Sequence, residues 1–200
     1  MARYTGPKDR LSRREGFDLF GKGAKLTRLT THPGMHGPKG DRRAPSQYGR
    51  QLREKQKMKR MYGVMERQFA NYIDEAMKFK GNTADALFGI LEKRLDNVVY
   101  RLGFAKTRPQ ARQMVTHRHI LVNGKKVNIP SYILKIGDTV NVAEGAMNIP
   151  NVAKLLASKE PVIPGWLKRK GGAGKVDRDV KREDVVELIN ESDIIEYYSR

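Results

Sequence analysis

A chain of 200 residues is long enough for one large or two modest domains, and an apolar fraction of 38% supports only small cores. It carries 40 Lys and Arg against 22 Asp and Glu, a net charge of +18, so an anionic partner is expected. There is no cysteine and no apolar run of bilayer length, which excludes disulfides, thiolate metal sites and a spanning helix. Nucleic acid is the first candidate partner, because cations that neutralise phosphates release counterions; an anionic membrane surface is the second. Met1 leads straight into a polar, basic segment without a secretory pattern, and a cytosolic location is the simplest expectation.

Residues 1–46 show little periodicity. Turn formers at Gly6-Pro7, Gly21, Gly23, Pro33-Gly34, Gly37-Pro38, Gly40 and Pro45 alternate with basic residues that include Lys25, Arg42 and Arg43. This composition predicts a basic arm that buries itself poorly and orders on its partner. Residues 1–60 hold 17 Lys and Arg against 5 Asp and Glu, so the polyanion contact should concentrate there. The end reverses sign, from Glu183 to Glu196, and reads as a structural or protein-facing element.

Periodicity then sets in. Residues 47–61 read as a helix dense in Arg and Lys, with Gly63 suited to its C-terminus. In 66–79, Phe69, Tyr72, Ile73, Ala76 and Met77 make one apolar helical face. Asn82 or Thr83 can cap a following helix whose stripe runs through Leu87, Ile90, Leu91, Leu95, Val98 and Leu102 to Gly103. Thr107 and Gln110 have capping-box spacing, and Pro109 suits a first turn, so a further helix starts there. Ile120 and Val122 alternate into an Asn123-Gly124 hairpin turn, Val127 and Ile129 return, and Val140 and Val142 alternate after Gly137-Asp138. Residues 151–160 look helical, 161–182 are basic and punctuated by Pro and Gly, and "DIIEYY" (193–198) looks like a strand.

Catalytic readings fare poorly. His32 and His36 flank Pro33-Gly34, which breaks the helix that paired ligands need, and His117 and His119 flank Arg118 without further ligands. "GGAGKV" (171–176) lacks both the spacing and the Ser or Thr of a phosphate loop. "KRLDN" (93–97) resembles a short acidic motif of RNA pseudouridine synthases, but it lies in an amphipathic helix with no catalytic domain around it. Asp96 and Asn97 are expected to orient neighbouring side chains. No enzyme, cofactor or metal site is expected.

Residues 91–138, "LEKRLDNVVYRLGFAKTRPQARQMVTHRHILVNGKKVNIPSYILKIGD", resemble the RNA-binding module named after ribosomal protein number four of the small subunit. "MARYTGP", "HPGMHGP", "YGRQLREKQK", "MYGVMERQF" and the closing "IIEYYSR" are similar to the rest of that bacterial family. The resemblance covers nearly the whole chain and is looser over 145–190. It implies an α+β fold: a mainly helical N-terminal domain with a basic arm, plus an inserted RNA-binding module of two helices and a small antiparallel sheet. The implied domains are an arm at 1–46, a helical domain at 47–90 completed by 150–200, and the module at 91–149.

The resemblance further implies a structural constituent of the small ribosomal subunit in the cytoplasm. Such a protein binds small-subunit (16S-type) ribosomal RNA, nucleates assembly of the subunit body and contributes to translational accuracy. Its implied neighbours are small-subunit protein number five and the path of the messenger, with no membrane. Many members carry a four-cysteine zinc knuckle; here those positions fall on Asp9 and Ser12 and approximately on Leu26 and Thr31, so zinc is not implied. Residue by residue, the expected RNA contacts of the module are Arg108, Arg112, His117, His119, Asn123, Gly124, Lys125 and Lys126, forming one positive edge. In the N-terminal part they are Arg3, Arg10, Arg13, Arg14, His36, Tyr48, Arg50, Arg53, Lys55, Lys57 and Arg60, with Tyr48 and the histidines suited to sugars or splayed bases. The alternatives are an RNA-modifying enzyme and a free RNA chaperone that use the same module.

Overall fold

The computed structural model describes residues 3–23, 26–39, 44–157 and 162–199. Lys25, Arg42 and Arg43 of the expected arm, residues 158–160 of the expected helix and Arg200 lie outside the described residues. In chain order the helices are α1 (Lys8–Glu15), α2 (Gln47–Met61), α3 (Glu66–Met77), α4 (Thr83–Glu92), α5 (Leu95–Arg101) and α6 (Arg108–Thr116), then α7 (Glu144–Met147), α8 (Pro150–Ala157) and α9 (Glu191–Tyr198). The strands are β1 (Ile120–Val122), β2 (Lys125–Lys126), β3 (Thr139–Val142), β4 (Leu167–Lys170) and β5 (Ala173–Val176). The fold is α+β. The chain divides into two compact units, Met1–Met77 with Glu187–Arg200, and Lys78–Val186. These divisions differ from the expected ones: the arm joins the first unit, and α4 and residues 150–186 join the module, leaving only 187–200 of the expected closing segment with the first unit.

In the first unit the arm folds on polar contacts. α1 ends at Gly16, where φ is +60°, and Ser12, Leu19 and Leu26 are buried. Arg13 donates from Nε to the Thr31 carbonyl (2.9 Å) and from Nη2 to the His32 carbonyl (3.0 Å). Asp18 accepts the Phe20 and Gly23 amides, and Lys22 pairs with Asp9. An arm with few apolar residues is thus closed by side chains that satisfy backbone groups.

α2 is capped by Ser46, whose Oγ accepts the Gly49 amide at 3.2 Å, and it buries Gln51, Lys55, Met58 and Met61 along one face. α3 buries Phe69, Tyr72, Ile73 and Ala76, whereas Met77, its last residue, is exposed. The terminal "DIIEYY" segment is helical rather than extended. Gln47 bonds Glu196, Tyr48 meets Tyr197 and Arg50 faces Asp193, so one α9 face spaced i, i+3, i+4 lies along α2. That periodic packing overrides the β-propensity of the Ile and Tyr residues.

In the second unit, Asn82 caps α4 through the Ala84 amide (2.9 Å). The stripe expected as one helix is broken into α4 and α5. Arg94 is extended and bridges Ile133. The amides of Leu95 and Asp96 donate to the carbonyls of Tyr132 (2.8 Å) and Pro130 (3.1 Å) instead of to the preceding turn. α6 starts as expected, with Thr107 Oγ1 accepting the Gln110 amide, but the Gln110 side chain returns to the Lys106 amide rather than to that of Thr107.

The sheet is antiparallel, in the order β2-β1-β3-β5-β4. Asn123 and Gly124 have φ of +49° and +79°, the signature of a tight two-residue hairpin turn. β2 is only two residues long, and Ile129 falls outside it and is half exposed. β4 and β5, which were not expected, form a hairpin around Gly171. The "GGAGKV" run is therefore a turn and strand. Arg169 locks this hairpin by donating to the carbonyls of Leu102, Leu155 and Gly171 while its guanidinium lies 5.1 Å from the Phe104 ring. Phe88, Leu91, Leu95, Val98, Val115, Ile120, Val140 and Trp166 supply the core.

Beneath α5 and α6 lies a buried ion triad. Arg94, fully buried, donates from Nε (3.1 Å) and Nη2 (2.6 Å) to Asp96, and Arg112 Nη1 donates to Asp96 Oδ2 at 3.2 Å. Replacing Asp96 with Ala strands two buried guanidinium groups and should cost about 3–5 kcal/mol. Urea unfolding followed by circular dichroism measures this; a loss within a few tenths of a kcal/mol would contradict it.

Candidate nucleic-acid interface

The expected contact residues divide by what holds them. In the first unit Arg3, Arg10, Arg14 and His36 are exposed. Arg50 is exposed and 3.9 Å from Asp193. Arg13 is half-buried and holds the arm, as above. Tyr48 is half exposed and packs on Tyr197, ring centroids 5.6 Å apart. Arg53 and Arg60 converge on Oε1 of Glu15, whose side chain is 1% exposed. Burial raises the Glu15 pKa, and Arg53, Arg60 and Arg14 pull against it. Lys57 pairs with Glu54 at 3.3 Å and sits 4.6 Å from the Phe17 ring.

Lys55 is a correction. It is buried, donates to Glu66 Oε1 at 2.6 Å and lies 4.6 Å from the Tyr197 ring, so it faces the α2–α9 packing rather than solvent. Lys59 takes the other Glu66 oxygen at 2.6 Å, and the Tyr198 hydroxyl donates to Oε1. Burial alone would raise the Glu66 pKa, but these hydrogen bonds outweigh it and bring it to about 2. Burial, followed by the nearby Glu66 carboxylate, pushes the Tyr198 pKa well above its ordinary value.

In the second unit the expected positive edge is partly dismantled. Arg112 turns inward, where its Nη1 donates to Asp96 Oδ2, which is buried beside Arg94. Asn123 is exposed but its amide is engaged: Nδ2 donates to Asp138 (2.8 Å) and Oδ1 accepts the Thr139 amide (2.9 Å), which ties the hairpin tip to the next turn. Arg108 donates from Nε to Asn97 Oδ1 at 2.9 Å and lies 4.7 Å from the Tyr100 ring. Asn97 in turn donates to Glu92, which also accepts two bonds from Arg101. Asp96 and Asn97 thus orient neighbouring side chains.

What remains on this edge is Gly124, Lys125 and Lys126, exposed on the hairpin, with exposed His117 and half-buried His119, ring centroids 5.9 Å apart, where α6 gives way to β1. Arg118, between the histidines, is exposed as well and was not among the expected contacts. Its only signal in the sequence is a basic residue just past a helix end. Among the described residues, no three His, Asp or Glu side chains cluster as metal ligands. Also among them, no helix is long and apolar enough to cross a membrane.

Comparison with known proteins accords with this geometry. The family described as "Ribosomal protein S4/S9 N-terminal domain" matches residues 3–92, and the "S4 domain" family matches 93–140. Over the full length of both chains the sequence is 50% identical to small ribosomal subunit protein uS4 of Variovorax paradoxus (strain S110). It is 47% identical, again over both full lengths, to uS4A of Symbiobacterium thermophilum and to uS4 of Akkermansia muciniphila.

The Glu66 cluster makes acid stability testable. Its pKa is depressed on folding, so its contribution is present above the ordinary value of 4.5 and is lost as pH falls through about 2. The Glu66→Gln variant should melt below the parent at neutral pH, with the gap closing across that window. A gap that does not change with pH would contradict the assignment.

Proposed function

The chain belongs to the uS4 family of small ribosomal subunit proteins, and from that premise we propose that it binds 16S-type ribosomal RNA directly and nucleates assembly of the subunit body. In this reading it also contributes to translational accuracy beside protein number five, near the path by which messenger enters, in the cytoplasm. The family consists of structural ribosomal proteins, and the chain is not an enzyme.

One observation carries the RNA reading. Carboxylates inside each unit engage a defined subset of the cations, while Arg3, the α1 residues Arg10 and Arg14, and Lys125 and Lys126 on β2 stay exposed. Groups of this kind, spaced along a surface, suit successive phosphates. The RNA-modifying alternative needs Asp96 as a reacting carboxylate. Here Asp96 is buried and shared by two arginines, which favours a structural role over general base chemistry.

Affinity for a transcript of the 5′ domain of 16S-type ribosomal RNA, where the family resemblance places the binding site, should fall steeply with salt, by about 0.7–0.9 log units per log unit of salt for each phosphate neutralised. The Lys125→Ala/Lys126→Ala variant should lower the slope by about 1 for each lysine in contact. A slope unchanged by the double variant would count against this edge. Sucrose gradients separate the readings: co-sedimentation of most copies with small subunits is expected, and a free pool would favour the chaperone.

A further inference from the structure

Arg118 sits at a position whose backbone favours glycine. α6 ends at Thr116; the Arg118 amide donates to the Val115 carbonyl (2.9 Å) and the His119 amide to the Met114 carbonyl (3.0 Å). That pair of bonds is a helix-ending motif whose residue after the cap adopts the left-handed region, usually as glycine. Arg118 has φ of +61°, and its Cβ makes this conformation costly. Among the described residues only Arg28 and Asn123 share a positive φ without being glycine. Asn123 has an amide that bonds locally in compensation, through Asp138 and Thr139.

Arg118 shows no such compensation. Its side chain is exposed and makes no hydrogen bond, ion pair or ring contact among the described residues. The other arginines of this unit are engaged: Arg94 and Arg112 on Asp96, Arg101 on Glu92, Arg108 on Asn97, Arg169 on three carbonyls, Arg178 on Asp184 and Arg182 on the Val185 carbonyl. The backbone that presents it is fixed from both sides, because the His119 carbonyl accepts the Ala143 amide and β1 begins at Ile120. A strained residue held by ordered surroundings, with an unengaged charge, points to a partner outside the chain.

We propose that Arg118 is an RNA phosphate anchor of the module, kept at a left-handed helix end because the contact requires a guanidinium there. The proposal rests on the RNA-binding reading of this edge. The rival account makes Arg118 merely a favourable cation at a helix C-terminus. The two accounts diverge when backbone fit and charge are changed separately.

The test measures melting temperature and affinity for the 5′-domain RNA for the full chain and for Arg118→Gly, Arg118→Ala and Arg118→Lys. Glycine relieves the backbone and should melt above alanine. Both should lose the same RNA affinity, about fivefold, and lower the salt slope by about 1. Lysine should retain most of the affinity. If affinity instead follows stability, so that glycine binds as the parent does, the anchor is overturned. The Lys125→Ala/Lys126→Ala variant separates the two levels: weakened binding there with Arg118→Gly unchanged sinks only the anchor, and no change in either sinks the RNA-facing edge itself.

Discussion

A carboxylate shared by two cations is the interaction on which each unit depends. Glu15 gathers Arg53 and Arg60, Glu66 gathers Lys55 and Lys59, and Asp96 gathers Arg94 and Arg112. A chain of +18 repels itself when compact. Placing one buried or half-buried anion between two cations reverses that repulsion where the elements meet. Desolvation opposes each cluster and is offset only if the remaining hydrogen-bonding capacity is filled. Tyr198 does so at Glu66, and both carboxylate oxygens of Asp96 accept hydrogen bonds, whereas Glu15 keeps a buried Oε2 that no hydrogen bond reaches among the described residues.

The same device sorts the cations. Those taken up by carboxylates stiffen the scaffold, and those left over define where a polyanion can be gripped. Long-range attraction comes from the whole excess of charge and carries little positional information. Position-specific groups need constrained backbone, and Lys125 and Lys126 stand on β2, whose tip is pinned through Asn123, Asp138 and Thr139. Lysines on a short edge strand also discourage strand pairing with another chain.

Elements specified by local chemistry were legible in the sequence. α2, α3 and α6 follow from the basic run that ends at Gly63, the Phe69–Ala76 face and Thr107 with Pro109, and the Asn123-Gly124 turn from its own dihedral preferences. Elements set by distant partners were not. The break before Leu95 is caused by carbonyls at Pro130 and Tyr132, and β4 shows a single apolar residue in "LKRK" because its pairing with β5, not its pattern, makes it a strand. The site divides in the same way. Residue type and helical spacing mark Arg112 and Lys55 as flank cations, but Asp96 and Glu66, 16 and 11 residues away, turn them inward. Arg118 was missed because the sign of a dihedral angle leaves no mark in composition.

This sorting also bears on why the module holds its shape without carrying out chemistry. An acidic residue in "KRLDN" resembles a reacting group only while its surroundings are unknown. Buried, with Arg94 bonding both of its oxygens and Arg112 adding a second bond to Oδ2, Asp96 is held as a carboxylate that anchors two cations. The next residue, Asn97, is placed with its amide nitrogen on the Glu92 carboxylate and its oxygen on the Arg108 guanidinium, an orientation each neighbour enforces because one can only accept and the other only donate. A buried network with every member satisfied has one arrangement, and rigidity follows from that. The motif therefore supplies a fixed polar layer between α5 and α6.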